Sequence, residues 1–122
     1  MITGGNATLF ISNMDAAIAF YTGVLGLKLG VRYDDAWATI DAGNGLTIGL
    51  HPSSPDYPAP GTKGGIMLGF EIDEPIDTAV ARLRDKGVNF KGSIVGGDGG
   101  KFAHFEDPDG NEMYLWETAV HA

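Results

Sequence analysis

The sequence contains no cysteine among its 122 residues. This absence excludes disulfide bonds, a thiolate nucleophile and cysteine-ligated metal sites, and it leaves the redox compartment undetermined. Long apolar runs are also missing, so no segment is predicted to cross a bilayer, and Met1–Gly5 lacks the basic and apolar regions of a signal peptide. These absences predict a cytoplasmic chain without a membrane partner.

Positive charge is scarce as well. Eight Lys and Arg residues stand against 16 Asp and Glu residues, which gives a formal net charge of -8. A surface of this sign repels phosphate backbones and anionic lipid and favours cationic partners, so nucleic-acid binding is not expected. A net negative charge also keeps a protein soluble, so it does not by itself indicate a cationic ligand.

The residues that are present predict one globular domain, 1–122, because an apolar fraction of 43% over this length is enough for a buried core. The order strand, helix and three strands occurs twice, which predicts an α+β fold of two βαβββ units, about 6–51 and about 65–117. The linker, 52–64, is rich in proline and is predicted to form neither a helix nor a central strand. The predicted strands are Ala7–Ser12, Leu27–Tyr33, Ala36–Asp41, Leu46–His51, Ile66–Ile72, Phe90–Val95, Lys101–Glu106 and Asn111–Glu117.

Each predicted helix has sequence signals at both ends. Asn13 is a suitable cap for the first helix, which ends at Gly26, and Pro75 begins the second, which ends at Gly87. Apolar residues at helical spacing predict the buried stripe of each helix. These residues are Ile18, Tyr21 and Leu25 in the first helix and Ile76, Val80 and Leu83 in the second.

The stretch FEDPDGNEMYLWE, residues 105–117, predicts a turn followed by a strand. We interpret Asp107 and Asp109 as turn formers rather than as a paired acid and base, because Asp and Pro fit turn geometry for local reasons. Strand alternation places Met113 and Leu115 on one face and leaves the other face to Glu112, Tyr114 and Trp116.

The pairing of this last hairpin decides which side chains lie beside Tyr114. If Phe105 pairs with Met113, then His104 lies beside Tyr114 and Phe102 lies beside Trp116. His104 then has two interpretations, a general base or ligand contact and a structural hydrogen-bonding residue. The remaining histidines are His51, at the end of a predicted strand, and His121, in the tail.

Two motifs in this element order carry a family resemblance: Ala19-Phe20-Tyr21 with Val24-Leu25-Gly26, and Asp107-Pro108-Asp109-Gly110-Asn111. With the repeated βαβββ order, they resemble the vicinal oxygen chelate superfamily. That superfamily contains glyoxalase I, extradiol dioxygenases, fosfomycin-modifying enzymes and bleomycin-binding resistance proteins. The resemblance implies curled mixed sheets around a cleft, commonly within a homodimer.

The resemblance also implies four metal-ligand positions, where the enzymes of the superfamily carry His, Gln or Glu. By motif register these positions fall on Asn6, Gly49, Met67 and Tyr114, and a slip of one residue at Met67 would substitute Ile66 or Leu68. An amide oxygen, a thioether and a phenol that is mostly protonated at neutral pH supply no negative charge to a hard divalent ion. We therefore expect that the shared metal site is lost and that no cofactor is bound, although Tyr114 is equally interpretable as an aromatic residue that fills a sheet face.

Aromatic residues and carboxylates alternate along the chain, an arrangement that suits a cationic, planar ligand. Asp34 and Asp35 belong to this arrangement, and the simpler interpretation is a solvated hairpin turn. The candidate ligand-binding residues are Tyr33, Trp37, Phe102, His104, Tyr114 and Trp116.

Three functions remain open on these grounds. The first is metal-independent binding of a small amphipathic molecule, as in the bleomycin-binding members of the superfamily, and an antibiotic is one such ligand. The second is a glyoxalase-like lyase, isomerase or dioxygenase that takes its metal ligands from unusual positions, such as His51, His104 and a carboxylate, or that works without a metal. The third is a non-catalytic interaction module whose cavity is filled by Phe102, Tyr114 and Trp116.

Overall fold

The computed structural model describes residue 1 and residues 5–62, 66–97 and 100–117. The last part of the linker, 63–64, the predicted start of the second unit at 65, residues 98–99 and His121 lie outside the described residues. The chain divides into two compact units, Met1–Thr62 and Lys63–Ala122. No helix of the described residues is long and apolar enough to span a membrane.

Unit 1 is a four-stranded mixed sheet with the strand order β1-β4-β3-β2. Its first strand pairs with β4 in parallel, and the other neighbours are antiparallel. A parallel pair needs a crossover connection, which the helical segment after β1 supplies. The elements are β1 (Ala7–Ile11), α1 (Met14–Ile18), which continues as a π-helical turn (Ala19–Val24), β2 (Lys28–Tyr33), β3 (Trp37–Asp41) and β4 (Thr47–Pro52).

Unit 2 repeats this topology with the strand order β5-β8-β7-β6, in which β5 and β8 are parallel. Its elements are β5 (Leu68–Glu71), α2 (Ile76–Asp85), β6 (Phe90–Gly97), β7 (Gly100–Glu106) and β8 (Glu112–Glu117). The prediction of an α+β fold with two βαβββ units is therefore confirmed.

The first helix begins as predicted and continues differently. Asn13 caps it, because its side-chain oxygen accepts a hydrogen bond from Ala16 N at 2.9 Å. After Ile18 the helix widens into the π form, in which Leu25 N donates to the carbonyl oxygen of Phe20. The predicted stripe is wrong at Ile18 and Leu25, which are only half-buried, and the widening explains Leu25 because it rotates the side chains that follow Ile18. The buried side chains are Met14, Ala17, Phe20 and Tyr21.

The second helix is held at its beginning by the last strand. Ile76 N, in the first turn of α2, donates a hydrogen bond of 2.7 Å to Oε1 of Glu117 on β8. A carboxylate at this end of a helix satisfies a free backbone donor and opposes the positive end of the helix dipole. The predicted stripe is confirmed and gains one residue, since the buried side chains are Ile76, Ala79, Val80 and Leu83.

Each sheet buries one face and leaves the other accessible. On β4 and β8 the side chains of Ile48, Leu50, Met113 and Leu115 are buried and belong to the apolar core. The opposite face of each sheet carries half-buried aromatic and polar side chains, and we call it the open face. Opposed residues share a face, so the open face of unit 1 includes Thr8, Phe10, Trp37, Thr39, Gly49 and His51.

An ion pair connects the segment before α2 to the body of that helix. Nη1 of Arg82 lies 3.0 Å from Oε2 of Glu74, and Nη2 donates to Oε1. The hydrogen bond from Arg82 is the main reason that the pKa of Glu74 is lowered from its ordinary value of 4.5. A carboxyl group with a lowered folded-state pKa stabilises the fold above its unfolded pKa, and this contribution is lost as the pH falls through the folded-state pKa.

Glu74→Gln should therefore lower the melting temperature at pH 7, and the difference from wild type should shrink as the pH falls below 4.5 and vanish below the lowered pKa of Glu74. The glutamine keeps the size of the side chain and removes only the charge. Thermal unfolding of both proteins at several pH values between about 3 and 7 measures this difference. A difference that stays constant over this range would contradict a role for the ionised pair.

Candidate functional site

The open face of unit 2 is built by the last hairpin in the predicted register. Phe105 pairs with Met113, which places His104 opposite Tyr114 and Phe102 opposite Trp116. The ring centre of Tyr114 lies 5.7 Å from that of His104 and 5.9 Å from that of Phe102. Three candidate binding residues therefore form one aromatic cluster around Tyr114.

The Tyr114 ring packs directly on the neighbouring strand. Gly69 on β5 is the register partner of Tyr114, and a Cβ atom added at Gly69 would overlap with the phenol ring. The ring therefore lies against the backbone of β5, in space that any other residue at position 69 would fill. The absence of a side chain at Gly69 is what permits this close packing.

Unit 1 repeats this arrangement with different residues. A Cβ atom added at Gly49 on β4 would overlap with the six-membered ring of the Trp37 indole. The Trp37 side chain is half-buried, and its rings lie 6.4 Å from the imidazole of His51, edge to face. Each unit thus carries an aromatic ring over a strand glycine on its open face.

A second group of aromatic residues on unit 1 was not predicted from the sequence. Tyr57 stacks on Phe10 at 5.2 Å between ring centres and lies 4.7 Å from His51. Phe10 and His51 are register partners on neighbouring strands, so strand alternation could have identified that pair. Tyr57 belongs to the proline-rich linker, where no periodicity indicates the position of a side chain; it remains 48% exposed.

Tyr33 extends the candidate site to the edge of unit 1. Tyr33 is the register partner of Trp37 in the hairpin of β2 and β3, and it is 65% exposed. The adjacent Asp34 has φ of 47° in a tight turn, and its carbonyl oxygen accepts a hydrogen bond from Nε of Arg32. The simpler interpretation of the Asp34–Asp35 segment, a hairpin turn, is the one that the geometry supports.

Arg32 also engages the carboxylates of this region. Its Nη2 atom lies 2.7 Å from Asp15 and 3.0 Å from Asp35, and the hydrogen bond to Asp15 is the main reason that the pKa of Arg32 is raised. The carboxylate of Asp41 accepts a hydrogen bond from Gly43 N at 2.8 Å and shapes another turn. Local acidic residues thus have structural partners, so attraction of a cation depends mainly on the net charge of the whole protein.

Asp107 is a turn former, as predicted. Its Oδ1 atom accepts hydrogen bonds from the backbone N atoms of Asp109 and Asn111 at 3.0 and 2.8 Å, and its Oδ2 atom accepts one from Nδ2 of Asn111 at 2.9 Å. The side chain is only 5% exposed. This turn fixes the register of β7 against β8 and so the position of Tyr114.

Comparison with known proteins now assigns the family. The sequence matches the profile of the Glyoxalase/Bleomycin resistance protein/Dioxygenase superfamily over residues 5–115. The chain belongs to this superfamily. Among curated proteins, no sequence matches it significantly.

Solved structures of the superfamily share the fold over nearly the whole chain. TnmS3, an antibiotic binding protein from Streptomyces sp. CB03234, is 25% identical with a TM-score of 0.72, and the match covers 97% of this chain and 98% of TnmS3. A glyoxalase/bleomycin resistance protein from the same Streptomyces is 27% identical with a TM-score of 0.68, over 92% and 99% of the two chains. Lactoylglutathione lyase from Agrobacterium tumefaciens, at 20% identity and a TM-score of 0.73 over 96% and 94%, shares the fold.

The four positions that the family resemblance implies for a metal ion carry residues that do not fit one. In unit 1, Oδ1 of Asn6 accepts a hydrogen bond from the Thr8 hydroxyl at 2.9 Å, and Gly49 has no side chain. In unit 2, Met67 is 42% exposed and offers a soft thioether, and Tyr114 packs on a strand backbone. This set lacks the carboxylate and imidazole ligands that divalent ions prefer.

The alternative metal ligands are divided between the units, with His51 in unit 1 and His104 in unit 2. Within the described ranges, no group of three or more His, Asp or Glu side chains is arranged to hold a metal ion. His51 is engaged locally, because its Nδ1 atom lies 2.8 Å from the Pro52 carbonyl oxygen, which can only accept. Among the described residues, the open faces carry aromatic rings together with the imidazole of His51 in unit 1 and that of His104 in unit 2.

Replacement of Asp107 tests the role of the turn. Asp107→Ala should lower the free energy of unfolding by about 1–3 kcal/mol, because it leaves part-buried backbone donors without an acceptor. Asp107→Asn should lose less, since its amide oxygen still accepts the backbone hydrogen bonds while its NH2 group faces the donor of Asn111. Urea denaturation measures both values, and equal stability of Asp107→Ala and wild type would contradict this role.

Proposed function

We propose that the chain binds a small amphipathic molecule, aromatic or cationic, on the open faces of its sheets and without a metal ion. The observation that carries the proposal is the packing of Trp37 and Tyr114 at the metal-ligand positions of the superfamily. Gly49 is one of these positions, and the indole of Trp37 covers it. Tyr114 occupies another of them. Aromatic surface thus replaces the ligands that the enzymes of the superfamily use.

The accessible aromatic surface supports recognition by stacking. The side chains of Trp37, Phe102 and Tyr114 are half-buried, so part of each ring is exposed to solvent while the surrounding sheet supports the rest; Trp116 is half-buried as well. A cation over such a ring gains about 0.5–2 kcal/mol, and more when water is excluded. The net charge of -8 favours the approach of a cation over long distances.

The comparisons support sequestration as the physiological purpose. TnmS3 is named as an antibiotic binding protein, and it shares the fold over nearly all of both chains. We therefore propose that the ligand is an antibiotic-like compound which the chain binds without altering it. The proposal includes a homodimer, as the family resemblance implies, and a cytoplasmic location, as the sequence predicts.

Calorimetric and fluorescence titration with a set of cationic aromatic compounds tests the proposal. At least one compound should quench the tryptophan fluorescence, with a dissociation constant below about 100 µM, which corresponds to more than about 5 kcal/mol of binding free energy. Tyr114→Leu should weaken this binding by about 2- to 30-fold, because it removes the stacking surface.

Phe90→Leu is the matched control. It removes a ring from the opposite face of the same sheet, where Phe90 contacts Phe105 at 5.5 Å between ring centres. This variant should bind as wild type does. Absence of quenching by every compound, or equal weakening by both substitutions, would argue against a binding surface on the open face.

A further inference from the structure

Gly49 and Gly69 lie within paired strands, where the backbone conformation does not require glycine. Neither residue is among the glycines with positive φ, so an L-amino acid could adopt the same backbone conformation. Gly49 is paired on both sides, with Thr8 of β1 and Thr39 of β3. Glycine in a strand interior is destabilising, so these two positions require a spatial explanation.

The explanation is the same in both units, because an aromatic ring occupies the space of the missing side chain. A Cβ atom at Gly49 would overlap with three carbon atoms of the Trp37 indole, and one at Gly69 would overlap with the phenol ring and hydroxyl oxygen of Tyr114. Gly96 on β6 provides the contrast, since a Cβ atom there would meet only Cγ of Lys101, at an ordinary 3.7 Å.

The rings that pack on the glycines are also confined laterally. His104 and Phe102, both on β7, contact the Tyr114 ring with centre-to-centre distances of 5.7 and 5.9 Å. With the β5 backbone beneath it, the ring has one side left for contact with a ligand. Such a ring has already lost its rotamer freedom before binding, so stacking on it costs less entropy than stacking on a mobile ring.

We propose that Gly49 and Gly69 are positioning residues that hold Trp37 and Tyr114 flat on their sheets and so select planar ring systems over non-planar molecules of equal charge. The inference rests on the proposed function and narrows its ligand class to flat, aromatic compounds. A side chain at either position would push the aromatic ring away from the sheet and tilt it. Stacking needs parallel faces, whereas a tilted ring offers mainly its edge.

The test compares two cationic probes of equal charge and different shape. Proflavine is planar, and tetraphenylphosphonium holds its phenyl rings in a propeller. Calorimetric titration of the full chain should show that wild type prefers proflavine and that Gly69→Ala reduces this preference by about tenfold, a change that loss of one stacking contact can produce. Gly96→Ala adds the same methyl group to another strand glycine and should keep the preference.

Nuclear magnetic resonance supplies a readout without ligand. If the Tyr114 ring lies face-on over Gly69, the Hα resonances of Gly69 are shifted upfield in wild type, and Tyr114→Leu abolishes the shift. The double variant Gly69→Ala/Tyr114→Leu should be more stable than Gly69→Ala alone, because it removes the overlap. Should Gly69→Ala fail to fold, Gly49→Ala carries the same prediction for Trp37 in the other unit.

The outcomes separate the inference from the proposed function. If wild type binds neither these probes nor the wider set of aromatic cations, the proposed function fails and the selection of planar ligands fails with it. If wild type prefers proflavine and both glycine variants keep this preference, the function stands and the role of the glycines is wrong. Unshifted Gly69 resonances in wild type would also overturn the flat packing of Tyr114.

Discussion

The parallel pairing of the first strand with the last strand in each unit determines where the aromatic rings lie. It sets Gly69 beside Tyr114 and places β4, with Gly49, between β1 and β3. The helical crossover that such pairing requires covers one face of each sheet with apolar side chains. The other face is therefore left for aromatic and polar residues, and the rings over the two glycines follow from strand order and register.

In the proposed function, this constraint connects the residues at the expected metal positions to a change in recognition. The open faces present aromatic rings, which attract a ligand by dispersion, stacking and cation–π interaction rather than by metal coordination. These forces recognise shape and polarisability more than a particular functional group. A sequestering protein needs binding without bond making, and a rigid aromatic surface provides that.

Local sequence signals predicted much of the fold and part of the site. The Asp107 turn is short and fixes its own hydrogen bonds, so the register that places His104 beside Tyr114 followed from a few residues. The same reasoning found the Asn13 cap and the buried stripe of α2. These features depend on residues a few positions apart, where periodicity and turn geometry are informative.

The features that were missed depend on distant parts of the chain or on irregular backbone. The packing of Tyr114 on Gly69 joins strands that are far apart in sequence, and Tyr57 reaches its partners from a linker without periodicity. The π-helical turn after Ile18 shifted the buried stripe, because a helical period of 3.6 residues does not hold there. Engagement of Asp15 and Asp35 by Arg32 could not be read from charge alone.

The central claim is that aromatic rings have replaced the metal site, and bound metal per chain tests it most directly. The protein, purified without a histidine tag, is incubated with zinc, manganese, nickel or iron at micromolar concentration, desalted and submitted to elemental analysis. A metal-free site predicts less than about a tenth of an equivalent of every metal, at a concentration where a site of ordinary affinity would fill. Close to one equivalent of one metal would contradict the claim and direct attention to His51, His104 and an enzymatic reaction.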